Sequence, residues 1–152
     1  MTSNLYRAHG ETKPGGDAHV ETLAATIPFD ASPSMGDEVP GPAHLLASSL
    51  AACVLKNVER FSHMLPFAYS GASVDVELER QDRPPRIVRA TYTLHVDTDE
   101  PAARCRLLHK NVRKFGTISN TLALACDLSG SMHARRGDGG VEEIESKPSR
   151  EG

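Results

Sequence analysis

One uninterrupted stretch in the middle of the chain constrains the fold most. After Pro42, no glycine or proline occurs before Pro66, and leucine and alanine recur throughout. Proline suits the first turn of a helix and ends a helix when it follows one, so the segment predicts a single long helix. Its first half is apolar or small on every side, which predicts burial in a core. Its second half, from Lys56 onward, carries charges and is expected to reach water.

Segments that alternate between apolar and polar residues flank this helix. Residues 73–79 place valine and leucine on one face and carboxylates on the other, and a second run ending at Asp97 alternates in the same way. Alternation of period two predicts a pair of antiparallel strands with one wet face. Before the helix, the turn cluster Pro14–Asp17 lies within a β-branched segment and predicts a hairpin over residues 5–27.

The pattern lengthens to a helical period after Pro101. Apolar residues recur every three or four positions among five basic ones, which predicts an amphipathic helix that ends at Gly116. A short helix over 118–124 and a last strand over 125–132 are expected to follow. This order of elements predicts an α+β fold class.

The chain of 152 residues has the size of one domain with a tail. From His133 to Gly152 nine side chains are charged, and only Ala134, Val141 and Ile144 are apolar. Because such a composition cannot form a core, we predict a folded domain over residues 1–132 and a flexible polar tail over residues 133–152.

The charge balance narrows the classes of partner. The chain has 17 Lys and Arg against 20 Asp and Glu, so the net charge of −3 attracts no polyanion, and neither nucleic acid nor a membrane is expected as a partner. The longest uncharged apolar run, residues 45–55, is shorter than the ~20 residues of a bilayer crossing. Residues 1–10 do not resemble a secretory signal, so we expect a cytoplasmic protein.

The sequence carries none of the common catalytic signatures: no glycine-rich phosphate loop, His-Glu-x-x-His, Cys-x-x-Cys or Gly-x-Ser-x-Gly. The histidines are scattered, with no i, i+4 pair on a predicted helix, so neither a metal nor a cofactor is expected. The three cysteines, Cys53, Cys105 and Cys126, are an odd number at wide spacing, which indicates reduced thiols rather than a disulfide framework.

Cys53 lies on the helix that is expected to be most buried. One interpretation is a small core hydrophobe, the commonest role of a lone buried cysteine. The other is a nucleophile, with Ala51 and Ala52 leaving room for a substrate beside the sulfur. A nucleophilic thiol must ionise, and Cys53 lies too far from the helix N-terminus for the dipole to help, so a nearby cation would be required.

Two short motifs are similar to those of a known family. The first is Gly41-Pro42-Ala43-His44-Leu45-Leu46-Ala47-Ser48-Ser49-Leu50-Ala51-Ala52-Cys53, and the second is Asn120-Thr121-Leu122. They resemble the osmotically inducible protein C (OsmC) and organic hydroperoxide resistance (Ohr) family. There, Pro-x-Glu-Leu-Leu leads through Ala-rich turns to Ala-Ala-Cys, and Cys-Pro-Val-Ser-x-Thr-Leu follows downstream. The similarity in element order extends from Leu5 to Met132.

The resemblance implies an OsmC-like fold, in which antiparallel sheets wrap around a long central helix and two chains intertwine as a homodimer with shared active sites. It also implies a cysteine peroxidase that reduces organic hydroperoxides. Cys53 matches the peroxidatic cysteine, whose thiolate would attack the peroxide, release an alcohol and become a sulfenic acid. An apolar funnel would favour small organic hydroperoxides over hydrogen peroxide.

The chain departs from the family pattern at the second cysteine. That position is Gly116, so the usual resolving thiol is absent, and the family proline after it is Thr117. Cys105 and Cys126 lie outside the family's position. Burial in the core or chance exposure is the plainer account of each, and resolution of the oxidised Cys53 by an external thiol reductant would need no second cysteine.

The acidic and basic partners of the family cysteine are also changed. Ala43 and His44 stand where the first motif carries a carboxylate, and the N-terminal hairpin offers only Lys13 or Arg7 in place of the family arginine. His44 is the second candidate catalytic residue. Since it lies nine residues before Cys53 on one helix, it cannot touch that thiol, so it either reaches a partner's site or caps the helix.

Two functional hypotheses remain at this point. The first is a single-cysteine peroxidase that reduces organic hydroperoxides with an external reductant. The second is an OsmC-fold dimer without peroxidase chemistry that binds an apolar small molecule, which the changes at Gly116 and His44 motivate. Peroxide consumption and the pH dependence of Cys53 alkylation distinguish the two.

Overall fold

The computed structural model describes residues 4–15, 17–34, 36 and 38–146. It divides into two compact units, residues 1–46 and residues 47–152. Each unit contains its own β-sheet, and the described residues also form three helices, which confirms the α+β fold class.

The first unit contains a three-stranded antiparallel sheet of β1 (His9–Glu11), β2 (His19–Thr22) and β3 (Ala25–Pro28). β1 and β2 pair across the predicted turn cluster, which confirms the hairpin. The third strand was not predicted. The chain reverses again at Leu23, which has a φ of 50°, and this turn lacks the glycine or asparagine that would have marked it.

The long helix α1 (Pro42–Met64) has the predicted bounds, but its burial differs from the prediction. Residues 43–49 range from exposed to half-buried, so the expectation of a buried first half is wrong for the single chain. The buried side chains lie further along, on one stripe spaced three or four residues apart: Leu50, Val54, Asn57, Val58, Phe61 and Ser62. The charged residues of the second half lie off this stripe.

The second unit contains a four-stranded sheet in the order β4 (Gly71–Asp82), β5 (Pro85–Asp97), β6 (Asp127–Arg135) and β7 (Val141–Ser146). β4 and β5 form the predicted antiparallel pair, and both are longer than their alternating cores. β5 and β6 are parallel, so the chain needs a crossover between them.

Two helices form this crossover, α2 (Ala102–Phe115) and α3 (Thr117–Ala125), both close to their predicted bounds. Their buried side chains and the inner face of β5 form the core of the second unit; on α2 and β5 these are Cys105, Leu108, His109, Val112, Ala90, Tyr92, Leu94 and Val96. The break between the helices falls at Gly116, which is therefore held between two rigid elements.

The prediction of a flexible tail from His133 is wrong as far as Ser146. β6 continues to Arg135, and β7 adds the last strand of the sheet. Ile144 is buried against the core, and Arg136 forms an ion pair with Glu142 at 2.5 Å. An edge strand with one apolar anchor among charges has the composition of a tail, so composition could not reveal it. Residues 147–152 lie outside the described part of the chain.

Candidate active site

Cys53 is a free, half-buried thiol on α1. Asn57, one helical turn later, donates a hydrogen bond from Nδ2 to the Cys53 carbonyl oxygen at 2.9 Å, and the same nitrogen lies 3.7 Å from Cys53 Sγ. The helix itself therefore brings a neutral donor to the sulfur.

Gly116 lies directly beside this sulfur. A Cβ atom at position 116 would lie 3.2 Å from Cys53 Sγ and 2.9 Å from Ser119 Oγ. The backbone of Gly116 has φ −76° and ψ 115°, values that any residue can adopt. Glycine is thus not required by the backbone here, and its effect is to leave the space between the sulfur and the hydroxyl free of a side chain.

Ser119 provides the polar group on the far side of that space. It lies in the first turn of α3, is 2% exposed, and its hydroxyl has no hydrogen-bond partner among the described residues. Cys53, Asn57, Gly116 and Ser119 together make a small polar recess with one nucleophilic atom. Since Asn57 and Ser119 are neutral, neither supplies the positive charge that would stabilise a thiolate.

The structure gives the other two cysteines different surroundings. Cys105 is fully buried in the first turn of α2, where its thiol lies 3.5 Å from the carbonyl oxygen of Glu100, and burial raises its pKa. Cys126 follows α3, and burial, followed by the nearby charge of Asp127, raises its pKa as well. Raised pKa values make both thiols weak nucleophiles at neutral pH.

The remaining predicted site residues lie in the first unit. His44 is exposed in the first turn of α1, where its Nδ1 accepts a hydrogen bond from the backbone N–H of Gly41 at 3.1 Å. This contact fits the capping interpretation of His44. Lys13 is exposed between β1 and β2, and the backbone oxygen of Arg7 accepts a hydrogen bond from the Thr22 hydroxyl. Catalytic roles for these residues stay predictions.

Sequence analysis missed a second polar cluster, inside the core of the second unit. His109 is 1% exposed; its Nδ1 lies 3.0 Å from Glu145 and its Nε2 lies 2.6 Å from the Tyr92 hydroxyl. A carboxylate only accepts, so Nδ1 carries the proton and Nε2 accepts from Tyr92. Burial raises the pKa of Tyr92 to about 12, although the guanidinium of Arg113 opposes this. The cluster joins β5, α2 and β7.

One glycine makes room for this cluster. A Cβ atom at Gly130, opposite Tyr92 in the parallel β5–β6 pair, would overlap the tyrosine ring. The scattered positions of Tyr92, His109 and Glu145 in the sequence gave no motif, and only the inward alternation of β5 indicated that Tyr92 is buried.

Neither a metal site nor a membrane-spanning helix is found among the described residues. Within residues 4–146, apart from the undescribed positions 16, 35 and 37, no group of three or more His, Cys, Asp or Glu side chains is arranged to hold a metal ion. In the same part of the chain, no helix has both the length and the apolar character needed to span a membrane.

The sequence matches a family model described as OsmC-like protein over residues 35–129. This match covers more than half of the chain and includes both Cys53 and Gly116. The chain belongs to the OsmC-like family. The resemblance inferred from the two short motifs is therefore confirmed. No curated protein matches the sequence.

Solved structures of OsmC-like proteins share the fold. An OsmC-like protein from Mycoplasma pneumoniae has a TM-score of 0.78 at 16% identity, over 88% of this chain and 99% of the other. An organic hydroperoxide resistance protein OsmC from Legionella pneumophila has a TM-score of 0.68 at 18% identity, over 87% and 98%. The organic hydroperoxide resistance protein OhrB of Bacillus subtilis has 0.63 at 14% identity, over 84% and 97%.

Proposed function

We propose that this protein is a thiol-dependent peroxidase that reduces organic hydroperoxides through Cys53 and acts in the response to oxidative stress. The observation that carries the proposal is a half-buried free thiol beside Gly116, where no side chain covers the sulfur, in a chain of the OsmC-like family. The names of the Legionella pneumophila and Bacillus subtilis proteins, both organic hydroperoxide resistance proteins, support this substrate class.

In the first step, the thiolate sulfur of Cys53 attacks the terminal oxygen of the hydroperoxide. An S–O bond forms and the O–O bond breaks; the departing alkoxide takes up a proton and leaves as an alcohol. Cys53 is oxidised to a sulfenic acid while the peroxide is reduced. A cation near the reacting atoms would stabilise both the thiolate and the departing oxygen. Asn57 and Ser119 are neutral, so we assign this cation to another residue.

In the second step, an external thiol attacks the sulfenic sulfur, releases water and leaves a mixed disulfide. A second thiol then frees Cys53. We assign this step to an external thiol because position 116 carries no sulfur, Cys105 is fully buried against Glu100, and burial raises the pKa of Cys126. A monothiol is therefore expected to support turnover, and a dithiol to support it faster at equal thiol concentration, because its second thiol attacks the mixed disulfide within the same molecule.

The proposed active form is a homodimer. Ser48 and Ala52, small residues one helical turn apart on the same face of the first half of α1, are exposed in the single chain. A second copy that packs on this face would bury it, and two-fold symmetry would bring the same face of each subunit together. Light scattering is expected to find a dimer. A stable monomer at micromolar concentration would contradict this part of the proposal.

The test of the peroxidase is consumption of cumene hydroperoxide by the full chain with dithiothreitol or 2-mercaptoethanol. Cys53→Ser is expected to lower consumption by more than about 100-fold, because it removes the nucleophile. Cys126→Ser is the matched control and keeps the wild-type rate. If Cys53→Ser turns over peroxide as fast as the wild type, the proposal is wrong.

His44→Ala is tested in the same assay. A role limited to the Gly41 backbone contact predicts an unchanged rate and a small loss of thermal stability. A large loss of rate in a dimer of unchanged stability would instead assign His44 to the partner subunit's site.

The neutral surroundings of Cys53 favour one second candidate, an OsmC-fold dimer that binds an apolar small molecule without peroxide chemistry. It predicts no peroxide consumption by the wild type and slow alkylation of Cys53 at neutral pH. Rapid consumption that depends on Cys53 excludes it.

A further inference from the structure

Two buried side-chain atoms among the described residues lack a hydrogen-bond partner: Ser119 Oγ, and Arg135 Nε, which lies 2.6 Å from Asp97 Oδ1 in an ion pair. Native proteins pair nearly all of their buried polar atoms, since a hydroxyl removed from water without a partner destabilises the folded state. Ser119 is 2% exposed and has no hydrogen-bond partner in the described part of the chain. A buried hydroxyl without a hydrogen-bond partner indicates that its partner is present only in another chemical state of the protein.

The geometry indicates which atom that partner bonds to. Ser119 Oγ and Cys53 Sγ lie 2.9 Å and 3.2 Å from one point, the place where a Cβ of residue 116 would stand. The two atoms are thus at most about 6 Å apart, and glycine keeps the region between them free of a side chain. An atom added to the sulfur in this direction moves toward the serine hydroxyl.

We propose that this space holds the oxygen of oxidised Cys53, with the Ser119 hydroxyl donating a hydrogen bond to it. The Asn57 amide, 3.7 Å from Sγ, lies close enough to hold the sulfur from the helix side. The inference rests on the proposed function, because the oxygen is the one transferred from the hydroperoxide. Gly116 and Ser119 together form a site for the sulfenic acid.

A site that stabilises the sulfenic acid is needed because position 116 carries no thiol. With no thiol at position 116, the sulfenic acid must persist until an external thiol arrives, and during that time a second peroxide molecule can oxidise it to the sulfinic acid. A hydrogen bond to the sulfenic oxygen lowers the electron density that the sulfur offers to the second peroxide. A side chain at position 116 would crowd both the sulfur and the Ser119 hydroxyl, so glycine is the residue that leaves the path between them unobstructed.

The experiment treats the full chain with one equivalent and then with excess cumene hydroperoxide, without reductant. Dimedone trapping and peptide mass measure the sulfenic and sulfinic forms of Cys53 over time. The wild type is expected to accumulate the sulfenic acid. Ser119→Ala is expected to form it at a similar rate but to pass to the sulfinic acid at least about fivefold faster, since the donor is lost. Gly116→Ala, which fills the space, is expected to act in the same direction.

Ser62→Ala is the matched control. Ser62 is a buried serine on α1 about 13 Å further along the helix, and its hydroxyl donates to the Glu59 carbonyl. It is expected to leave the lifetime of the sulfenic acid unchanged. Thermal unfolding of Ser119→Ala separates a structural role from the proposed one, because loss of an unpaired hydroxyl is not expected to destabilise the chain.

The outcomes separate this inference from the proposed function. If the wild type forms no oxidised Cys53, both are wrong. If Cys53 is oxidised and its sulfenic acid persists equally in Ser119→Ala and Gly116→Ala, the peroxidase stands and the oxygen site is overturned.

Discussion

Two polar clusters in the second unit are built in opposite ways. In the Tyr92–His109–Glu145 cluster, the hydroxyl, both ring nitrogens and the carboxylate meet each other inside the core. In the cluster around Cys53, the Ser119 hydroxyl has no partner in the described part of the chain, and Gly116 places no side chain between this hydroxyl and the sulfur. Both clusters depend on a glycine, but for different reasons.

The difference distinguishes a cluster that stabilises the fold from one whose polar groups are available for a reaction. At Gly130 the missing side chain is replaced by the Tyr92 ring, so the space is filled and the polar atoms hold three elements together. At Gly116, which is itself buried, no side chain separates the sulfur of Cys53 from the Ser119 hydroxyl. Polar groups that the fold satisfies stabilise it, whereas those that it leaves unsatisfied are available to a substrate or an intermediate.

The largest effect is expected when a cysteine is introduced at position 116, in the cluster around Cys53. Gly116→Cys is expected to form a disulfide with Cys53 on oxidation, since the backbone of residue 116 accepts any residue and its Cβ would lie 3.2 Å from Cys53 Sγ. Ser119 Oγ would have to rotate away. Intact mass and thiol titration after one equivalent of peroxide are expected to show two thiols lost without added oxygen. Retention of all thiols or a stable sulfenic acid would contradict the geometry.

A side chain added at the glycine of the Tyr92–His109–Glu145 cluster is expected to destabilise the fold. Gly130→Ala places a methyl group inside the Tyr92 ring, so strand and ring must separate, and the free energy of unfolding should fall by about 3 kcal/mol or more. Gly116→Ala is the matched control, with an expected loss of about 1 kcal/mol or less, because a serine hydroxyl can move aside. Urea unfolding measures both. Equal losses would remove the distinction between the two glycines.

A smaller effect on stability is expected when the hydroxyl of Tyr92 or that of Ser119 is removed. Tyr92→Phe leaves His109 Nε2 buried without the hydroxyl, at an expected cost of about 1–3 kcal/mol. Ser119→Ala removes a hydroxyl that has no partner and is expected to be neutral or slightly stabilising. Thermal and urea unfolding of the two variants test the comparison, and a destabilised Ser119→Ala would show that its hydroxyl is satisfied by the fold.

The smallest expected effect concerns the thiols outside the site. Burial raises the pKa of Cys105 and of Cys126, so at neutral pH both are more completely protonated than an ordinary thiol. Alkylation of the half-buried Cys126 thiol by iodoacetamide is expected to accelerate about tenfold per pH unit from pH 7 to beyond pH 9, because only the thiolate reacts, whereas the fully buried Cys105 is expected to stay unlabelled in the folded chain. Timed labelling with peptide mapping measures each rate. A rate for Cys126 that levels off below pH 8 would contradict the raised pKa.

Much of the fold could be predicted from the sequence because its signals are local. The helix between Pro42 and Pro66, the alternation in β4 and β5, and Gly116 as a helix end all depend on neighbouring residues. β3 could not be predicted because the turn before it, at Leu23, lacks glycine and asparagine. β7 could not be predicted because its composition is that of a solvated tail. Both strands pair with the strand directly before them, so what was missing was a local turn or composition signal.

The candidate site could be predicted only in part. Cys53 was found through its motif, and Gly116 as a departure from that motif. The importance of Ser119 was missed because an unpaired buried hydroxyl is a property of three-dimensional packing. The Tyr92–His109–Glu145 cluster was missed for the same reason, since its members are separated by 17 and 36 residues.

The central claim is that Cys53 alone among the three cysteines reacts with an organic hydroperoxide. Site-resolved mass spectrometry after one equivalent of cumene hydroperoxide, quenched within seconds, tests it most directly. The account predicts a single added oxygen on the Cys53 peptide, one cumyl alcohol formed per oxidised chain, and unmodified Cys105 and Cys126. Oxygen found first at Cys126, or peroxide left intact beside three unmodified thiols, would contradict it.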